Sequence, residues 1–278
     1  MPTLKYIHDF GSTSANKQLL GNKGAGLAEM SNLSLNVPPG FTITTDLCKA
    51  YHTSNGKFPE SFEAELDEAI ARLEEKTNKI FGASDGAIPL LLSIRSGAVA
   101  SMPGMMDTIL NLGINKDVAH HLGNLTKNQK FADDTLHRFT ESYNKLVGHG
   151  SSDLKAQLIF AIKAVIDSWM SPRAVAYRRI HHISDEHGTA VNVQAMVFGN
   201  MGDTSGTGVL FTRNPSSGKK ALYGEFLLNA QGEDVVSGIR TPMPISPTKK
   251  HPGQSLYETM PAIYHELEKI CALLENHY

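Results

Sequence analysis

The sequence predicts an α+β fold with two lobes and a helical segment between them. The first observation is length, because 278 residues are enough for two domains of about 150 residues each. The second is a change in hydrophobic period. Apolar runs alternate with helical patterns over residues 1–115, helical spacing dominates residues 116–187, and a period of two opens residues 188–278. These three ranges are the predicted divisions of the chain.

The first lobe is predicted to contain a helix over residues 59–79 and a buried strand before Arg95. Four apolar residues share one helical stripe: Phe62, Leu66, Ile70 and Leu73. Residues 90–94 form a short continuous apolar run, which is typical of a buried strand. We expect this strand to stop at Arg95, where its end would hold a functional side chain rigidly.

The remaining elements follow from apolar spacing and from cap residues. Helical patterns cover residues 154–169 and 261–278. Ser171 followed by Pro172 predicts the start of a further helix that runs through Arg179. Short turns should join three successive strands into one antiparallel sheet. These strands are predicted over residues 191–197, 207–213 and 221–228.

The composition is typical of a globular protein and excludes several classes of partner. Hydrophobic residues make up 41% and charged residues 19% of the chain. Because 26 basic residues face 28 acidic ones, no basic excess indicates a nucleic-acid partner. No apolar stretch approaches the roughly 18 residues that span a bilayer, and the amino terminus lacks a signal core. We expect a cytoplasmic protein without a membrane partner.

Disulfide and transition-metal chemistry is not indicated. The two cysteines, Cys48 and Cys271, lie far apart and form no CxxC pair. The 12 histidines include adjacent pairs, whose side chains cannot share one helix face, and no zinc motif occurs. The sequence leaves the ligands of any magnesium ion unknown.

A glycine-rich run before a helix-forming stretch is the first candidate site. The run LLGNKGAGLAEM places Gly21, Gly24 and Gly26 around Lys23. Backbone N–H groups at a helix start, with an ammonium group beside them, suit phosphate oxygens. The spacing is not that of a Walker A loop. The alternative is a glycine-rich turn with a solvated lysine.

Arg95 and the loop after it form the second candidate site. A guanidinium group can bridge two phosphates, although a surface ion pair is the simpler interpretation. The loop SMPGMMDT can close over a nucleotide because it combines small residues, backbone donors and a hydroxyl group. An irregular Met-rich core loop is the alternative. The candidate residues of the loop are Ser101, Met102, Pro103, Gly104, Asp107 and Thr108.

Two further groups of candidates lie in the predicted strands of the second lobe. Gln194, Met196 and Val197 could line an adenine pocket, although ordinary sheet burial explains the pattern equally well. Arg213 and Glu225 could face a triphosphate and its magnesium ion. A cross-strand salt bridge between Arg213 and Glu225 is the plainer interpretation.

Several of these segments together resemble the nucleotide-binding domain of the pyruvate, phosphate dikinase family over nearly the whole chain. They include LLGNKGAGLAEM, SIRSGAVASMPGMMDTILNLG, SPRAVAYRR and TAVNVQAMVFGNMGDTSGTGVLFTRNPSSG. The resemblance implies an ATP-grasp fold, in which two lobes hold ATP and a glycine-containing loop covers the phosphates. By motif, Lys23 and Arg95 would contact the phosphates as catalytic residues, residues 101–108 would form the covering loop, and residues 194–197 would line the adenine pocket.

The sequence also departs from the family. Arg213 and Glu225 match family positions with less certain roles, and the segment near residues 146–153 is shorter than is usual. The family's domain continues past the position of Tyr278 into strands that supply magnesium ligands, and its phosphohistidine and pyruvate-binding domains also lie outside this sequence. We therefore expect a truncated domain that binds ATP weakly, with an incomplete site for Mg²⁺, and that needs a separate chain for turnover.

Two other functions stay open. The chain could be a non-catalytic nucleotide-binding or interaction module left from a split gene, which would bind a partner along a free sheet edge. It could also be a smaller phosphotransferase that uses another acceptor. Binding of ATP that neither Lys23→Ala nor Arg95→Ala weakens would refute the phosphate assignments, and slow hydrolysis of ATP to AMP and pyrophosphate would support the smaller phosphotransferase.

Overall fold

The computed structural model describes residues 6–12, 15–148 and 151–278 and contains both helices and strands, which confirms the α+β prediction. The chain forms two compact units, unit 1 (Met1–Met196) and unit 2 (Val197–Tyr278). The predicted second lobe begins at residue 188, whereas the structure places the strand Thr189–Ala195 in the sheet of unit 1. The assignment of the two units to an ATP-grasp fold stays a prediction.

Unit 1 is built on a five-stranded antiparallel sheet with the order β1-β2-β7-β5-β6. Its strands are β1 (Ile7–Asp9), β2 (Gly40–Ile43), β5 (Leu92–Ala98), β6 (Thr108–Leu112) and β7 (Thr189–Ala195). A separate parallel pair consists of β3 (Ile80–Phe81) and β4 (Pro89–Leu90). The prediction that the strand stops at Arg95 is wrong, because the small residues Ser96 and Gly97 continue the pairing with β7 as far as Ala98.

The sheet of unit 1 has one apolar and one polar face. Successive residues of a strand point to opposite faces, and residues directly opposite one another on antiparallel strands share a face. The apolar face is buried and consists of Phe41, Ile43, Leu92, Ile94, Ile109, Val191 and Val193. The other face, which we call the polar sheet face, consists of Thr42, Ser93, Arg95, Thr108, Asn192 and Gln194.

Several helices of unit 1 begin at polar caps. The helices are α1 (Lys17–Asn32), α2 (Thr45–Thr53), α3 (Phe62–Thr77), α4 (Lys116–Thr126), α5 (Gln129–Leu146), α6 (Leu154–Asp167) and α7 (Pro172–Ile180). The Ser171 side chain accepts a hydrogen bond from the Ala174 N–H at the start of α7, as the sequence predicts. The same type of cap is supplied to α4, α5 and α6 by Asn115, Asn128 and Asp153. Nowhere in the described chain does a helix reach the length and apolarity needed to cross a membrane.

Helix α1 lies against the polar sheet face because two of its glycines lack side chains. A Cβ atom at Gly21 would lie 1.6 Å from the carbonyl oxygen of Gly97, and one at Gly24 would lie 2.8 Å from Thr42 Oγ1. Gly21 has a φ of +67°, which interrupts the helix and starts a new turn next to Lys23. The glycine-rich run therefore spans a break between two helical stretches, and Lys23 lies in the first turn of the second stretch, close to the helix start that the sequence predicts.

Unit 2 contains a three-stranded antiparallel sheet with the order β10-β9-β8. Its elements are β8 (Gly206–Phe211), β9 (Tyr223–Leu228), α8 (Gly232–Val236), β10 (Met243–Pro244), α9 (Leu256–Thr259) and α10 (Pro261–His277). The prediction that residues 191–197 form one sheet with β8 and β9 is wrong, because β7 pairs with β2 and β5. Within the described residues β8 has a neighbour on one side only, so its outer edge is free.

Candidate functional site

Arg95 lies within the polar sheet face, with paired strands on both sides. It is directly opposite Thr108 on β6 and Asn192 on β7. Its side chain is exposed, yet its pKa is lowered, because the surrounding protein displaces part of its hydration water. The two ladders fix the backbone of Arg95, so its guanidinium group is presented from a rigid base.

The structure brings Lys23 to the same side of the sheet as Arg95. A Cβ atom at Gly97, which lies on the same face of β5 as Arg95, would be 3.7 Å from the Lys23 Cβ. Although the Lys23 side chain is exposed, its pKa is lowered, first because neighbouring protein atoms displace part of the hydration water and second because the positive charge of Arg95 lies nearby. The two predicted phosphate contacts therefore belong to one region of unit 1.

Neither cation has an acidic partner in the described part of the chain. No carboxylate there lies within 4.0 Å of the Lys23 ammonium group or of the Arg95 guanidinium group. Both side chains are exposed to solvent. Two nearby positive charges disfavour one another, and a bound anion would relieve this repulsion. The alternative in which Arg95 belongs to a surface ion pair finds no partner among those residues.

Asn192 belongs to the same region and was missed by sequence reasoning. It is 2% exposed, and its Oδ1 atom accepts a hydrogen bond from Thr42 Oγ1 at 2.9 Å. Its Nδ2 group has no partner among the described residues, which is costly for a buried donor. That group lies 2.7 Å from the position of a Cβ atom at Gly97. The available signal was a polar residue between Val191 and Val193 in a buried strand.

The predicted covering loop joins β5 to β6 beside the Arg95–Thr108 pair. Within the loop, Met102 is buried, and the Met105 N–H donates a hydrogen bond to the Met102 carbonyl oxygen at 3.2 Å. The exposed residues before Met105 are Ser101, Pro103 and Gly104. The interpretation as a Met-rich core loop therefore holds for Met102, while the rest of this stretch faces solvent.

The candidate adenine residues lie where unit 1 ends. Gln194 is buried on the polar sheet face, and its Nε2 group donates a hydrogen bond to the Pro38 carbonyl oxygen at 3.0 Å. Met196 is buried, and its N–H donates to the Leu91 carbonyl oxygen at 2.8 Å. Val197 is 69% exposed. Sheet burial accounts for Gln194 and Met196 but leaves Val197 without a packing role within the sheet.

Arg213 and Glu225 do not form the predicted cross-strand salt bridge. Arg213 Nε and Nη2 each lie 2.8 Å from the carboxylate of Glu275 on α10, and Thr212 Oγ1 donates to the same carboxylate at 2.9 Å. These hydrogen bonds lower the pKa of Glu275. Glu225 lies opposite Val209 on β8. The prediction of a salt bridge between Arg213 and Glu225 is wrong because the partner of Arg213 comes from a distant helix.

The described residues do not assemble a metal site of their own. Among them, no group of three or more histidine, cysteine, aspartate or glutamate side chains is placed to hold a metal ion. Magnesium prefers oxygen ligands from carboxylates, phosphates and water. The described residues therefore contain no such cluster, and the ligands of any magnesium ion stay unassigned.

The fold and the site define an α+β protein whose first unit carries two neighbouring cations on a polar sheet face, with no carboxylate partner among the residues that the structure describes. The chain belongs to a known family. The profile of the family described as "Pyruvate phosphate dikinase, AMP/ATP-binding domain" matches residues 17–58 and 54–262.

Curated relatives agree with this family. The pyruvate, phosphate dikinase of Rickettsia conorii (strain ATCC VR-613 / Malish 7) is 47% identical over 326 residues, which cover 99% of this chain and 37% of the relative. The enzyme of Rhizobium meliloti (strain 1021) is 44% identical over 331 residues, with coverage of 99% and 37%. The chloroplastic pyruvate, phosphate dikinase 1 of Oryza sativa subsp. japonica is 44% identical over 329 residues, with coverage of 99% and 34%.

The chain spans about 37% of the length of the bacterial relatives that it matches. The matched region of 326 residues is longer than the 278 residues of this chain, so the relatives carry internal segments that this chain lacks. The prediction of a shortened segment near residues 146–153 stays a prediction, and residues 149–150 lie outside the described residues.

Proposed function

We propose that this chain binds ATP and that Lys23 and Arg95 hold its phosphates. The observation that carries the proposal is the pair of neighbouring cations without an acidic partner in the described residues. Phosphate oxygens would supply the missing negative charge, and a planar guanidinium group can donate two parallel hydrogen bonds to them. Asn192, which lies opposite Arg95, supports the same site, because its Nδ2 group is a donor without a partner in the part of the chain that the structure describes.

The loop and the adenine contacts belong to the same proposal. Residues 101–108 would close over the phosphates, because the loop leaves and rejoins the sheet beside Arg95. Residues 194–197 would line the adenine pocket. Arg213 is a weaker candidate than Lys23, because its guanidinium group is already bound to Glu275 within unit 2.

The name of the relatives indicates the reaction to which ATP binding would belong. We infer that the chain is the ATP-binding portion of a pyruvate, phosphate dikinase, which converts ATP, phosphate and pyruvate to AMP, pyrophosphate and phosphoenolpyruvate. In the family a histidine on another domain carries the phosphoryl group. This chain would therefore need phosphohistidine and pyruvate-binding domains from a separate or adjoining segment, which would also supply protein ligands for Mg²⁺ beside those of the ATP phosphates.

Isothermal titration calorimetry with ATP, in the presence and absence of Mg²⁺, tests the proposal. Lys23→Met and Arg95→Met should each weaken binding by about 10- to 100-fold, the effect of removing one charge-assisted hydrogen bond or two. Lys17→Met is the matched control, because Lys17 is an exposed lysine on the same helix α1. Binding of ATP that neither Lys23→Met nor Arg95→Met weakens would show that the phosphate assignments are wrong.

A non-catalytic interaction module is the second candidate, and the free outer edge of β8 favours it. Reconstitution separates the two functions. A pyruvate, phosphate dikinase of a relative that lacks its nucleotide-binding domain should form phosphoenolpyruvate, AMP and pyrophosphate from pyruvate when this chain, ATP, phosphate and Mg²⁺ are added. Partner binding without product, although both chains are folded and ATP binds, would favour the module.

A further inference from the structure

We propose that Arg173 is a positioning residue that anchors the second half of the covering loop and so fixes it relative to Arg95. Arg173 Nε donates a hydrogen bond to the Met105 carbonyl oxygen at 3.1 Å, and Nη2 of the same guanidinium group pairs with the Asp107 carboxylate. One rigid fork thus holds the loop at two points. The proposal deepens the proposed function and rests on it, since the loop matters only if ATP binds below it.

A second contact holds the same stretch from the backbone. The Asp107 N–H donates a hydrogen bond to Ser168 Oγ at 3.3 Å, and Ser168 Oγ donates to the Val165 carbonyl oxygen of α6 at 2.7 Å. Asp107 is therefore fixed through its side chain by Arg173 and through its backbone by Ser168. The next residue, Thr108, begins β6 opposite Arg95.

The base of this anchor is itself well ordered by packing. Ser171 caps α7 immediately before Arg173, with Pro172 in the first turn. One turn further on, Arg178 is completely buried and lies with its guanidinium carbon 3.9 Å from the centroid of the Trp169 ring. The position of Arg173 is therefore set by the core of unit 1.

Among the described residues no side chain forks onto the first half of the loop, whose one buried side chain is that of Met102. Gly104 has a φ of +71°, and a Cβ atom there would meet no atom within 4 Å. Ser101 and Pro103 are exposed. The loop thus consists of a free half, residues 101–104, and an anchored half, residues 105–107. Closure over a ligand would move the free half about the anchored one, and Arg173 sets where that movement starts.

The anchor can be tested without ATP. Hydrogen exchange of the Met105 and Asp107 amides should be at least about 10-fold faster in Arg173→Ala than in the wild-type chain, because without the fork only the bonds to Met102 and Ser168 oppose local opening. Arg173→Lys keeps the charge but lacks the planar fork, so it should restore protection only in part. Arg179→Ala is the matched control, since Arg179 is exposed on the same helix and forms no salt bridge within the described residues.

The consequence for ligand binding follows from the same variants. Arg173→Ala should raise the Kd for ATP about 3- to 10-fold through faster dissociation, and Arg173→Lys should recover part of that loss. A merely structural role for Arg173 would lower the unfolding midpoint without a selective change in amide exchange at residues 105–107. If Arg173→Ala fails to fold, Arg173→Gln gives the same two measurements.

Each outcome decides one of the two claims. Unchanged exchange at residues 105–107 in a folded Arg173→Ala variant overturns the anchor, whether or not ATP binds. A weaker affinity for ATP with unchanged exchange also overturns it, because Arg173 would then act on the nucleotide directly. Faster exchange in a chain that shows no ATP binding supports the anchor and overturns the proposed function alone.

Discussion

Arg95 in unit 1 and Arg213 in unit 2 differ in whether a carboxylate binds the guanidinium group. In unit 1, Arg95 lies near Lys23 and has no carboxylate partner in the described residues. In unit 2, Arg213 is already neutralised by two hydrogen bonds to the Glu275 carboxylate. An arginine in a family motif is therefore not enough to identify a ligand contact. The better criterion is whether the fold leaves its charge without a partner.

The two sheets also differ in the side chains that they present on one face. The polar sheet face of unit 1 carries Arg95, whereas the corresponding ladder of unit 2 exposes apolar residues on the face opposite its core. These are Val209, Phe211 and Tyr223. The same face of unit 2 also carries the exposed carboxylate of Glu225, so unit 1 presents a cation and hydrogen-bond donors where unit 2 presents apolar side chains and an acid. The predictions below test this contrast from the largest expected effect to the smallest.

The largest effect is expected where α1 approaches the sheet of unit 1. Gly21→Ala should lower the free energy of unfolding by about 3 kcal/mol, because its φ is positive and the added carbon would overlap the Gly97 carbonyl group. Urea unfolding followed by the fluorescence of Trp169 measures this. The chain contains one tryptophan, and Trp169 lies in unit 1.

Gly26→Ala is the matched control on the same helix. A Cβ atom at Gly26 would meet nothing within 4 Å, so this change should stabilise unit 1 by about 0.5–1 kcal/mol. Similar midpoints for Gly21→Ala and Gly26→Ala would mean that the Gly21–Gly97 approach does not place α1.

A smaller effect is expected in unit 2 when Arg213 is removed. Because its hydrogen bonds lower the pKa of Glu275, the carboxylate stabilises the folded state above its ordinary pKa, and this contribution is lost as the pH falls through the lowered value. Arg213→Ala should therefore speed amide exchange in β8 at neutral pH, and the difference from wild type should vanish in strong acid. Lys220→Ala should have less effect, since Lys220 Nζ lies 3.9 Å from the same carboxylate.

In unit 1, removal of a cation is expected to increase the free energy of unfolding, because Lys23 and Arg95 have no carboxylate partner among the described residues. Lys23→Met should raise the stability of the free chain by up to about 1 kcal/mol, because it removes repulsion from Arg95, while it weakens ATP binding. The pKa of Lys23 is lowered on folding, so the wild-type chain should gain stability as the pH rises through that value towards about 10.5. Lys23→Met should lack this gain. Equal or lower stability of the variant would contradict the repulsion.

The smallest effect is a lack of reaction at Cys48 in unit 1. Burial raises the pKa of the Cys48 thiol to about 11, so little thiolate exists at neutral pH. A thiol reagent such as dithionitrobenzoate should label Cys48 only after unfolding. Rapid labelling in the native chain, located by mass spectrometry, would show that this part of the core opens readily.

Local signals in the sequence predicted local structure well. Apolar spacing and the Ser171 cap anticipated α6 and α7, because both depend on residues within a few positions of one another. The strand predicted over residues 90–94 was too short at its carboxyl end. The partners that extend β5 to Ala98 come from β7, which is distant in sequence. A sequence pattern reports the period of a strand but not the identity of its neighbours.

The site was predictable to the same extent. Lys23 and Arg95 stood out through residue type, but the placement of Lys23 against the sheet depends on Gly21 and its distant contact with Gly97. The partner of Arg213 is 62 residues away in the chain, and the Asp107 partner of Arg173 is 66 residues away. No rule of sequence spacing connects positions that far apart, so these contacts could not be predicted from the sequence.

The location of Arg95 inside a strand limits how the site can adapt. Because its backbone is bonded to β6 on one side and β7 on the other, the main chain at this position cannot shift without breaking two ladders. The proposed site would therefore accommodate ligands of different size through rotation of side-chain torsions and through movement of the free half of the loop. In the proposed site, the selectivity for the length of a polyphosphate would then depend on the fixed backbone position of Arg95 and on the variable position of loop residues 101–104.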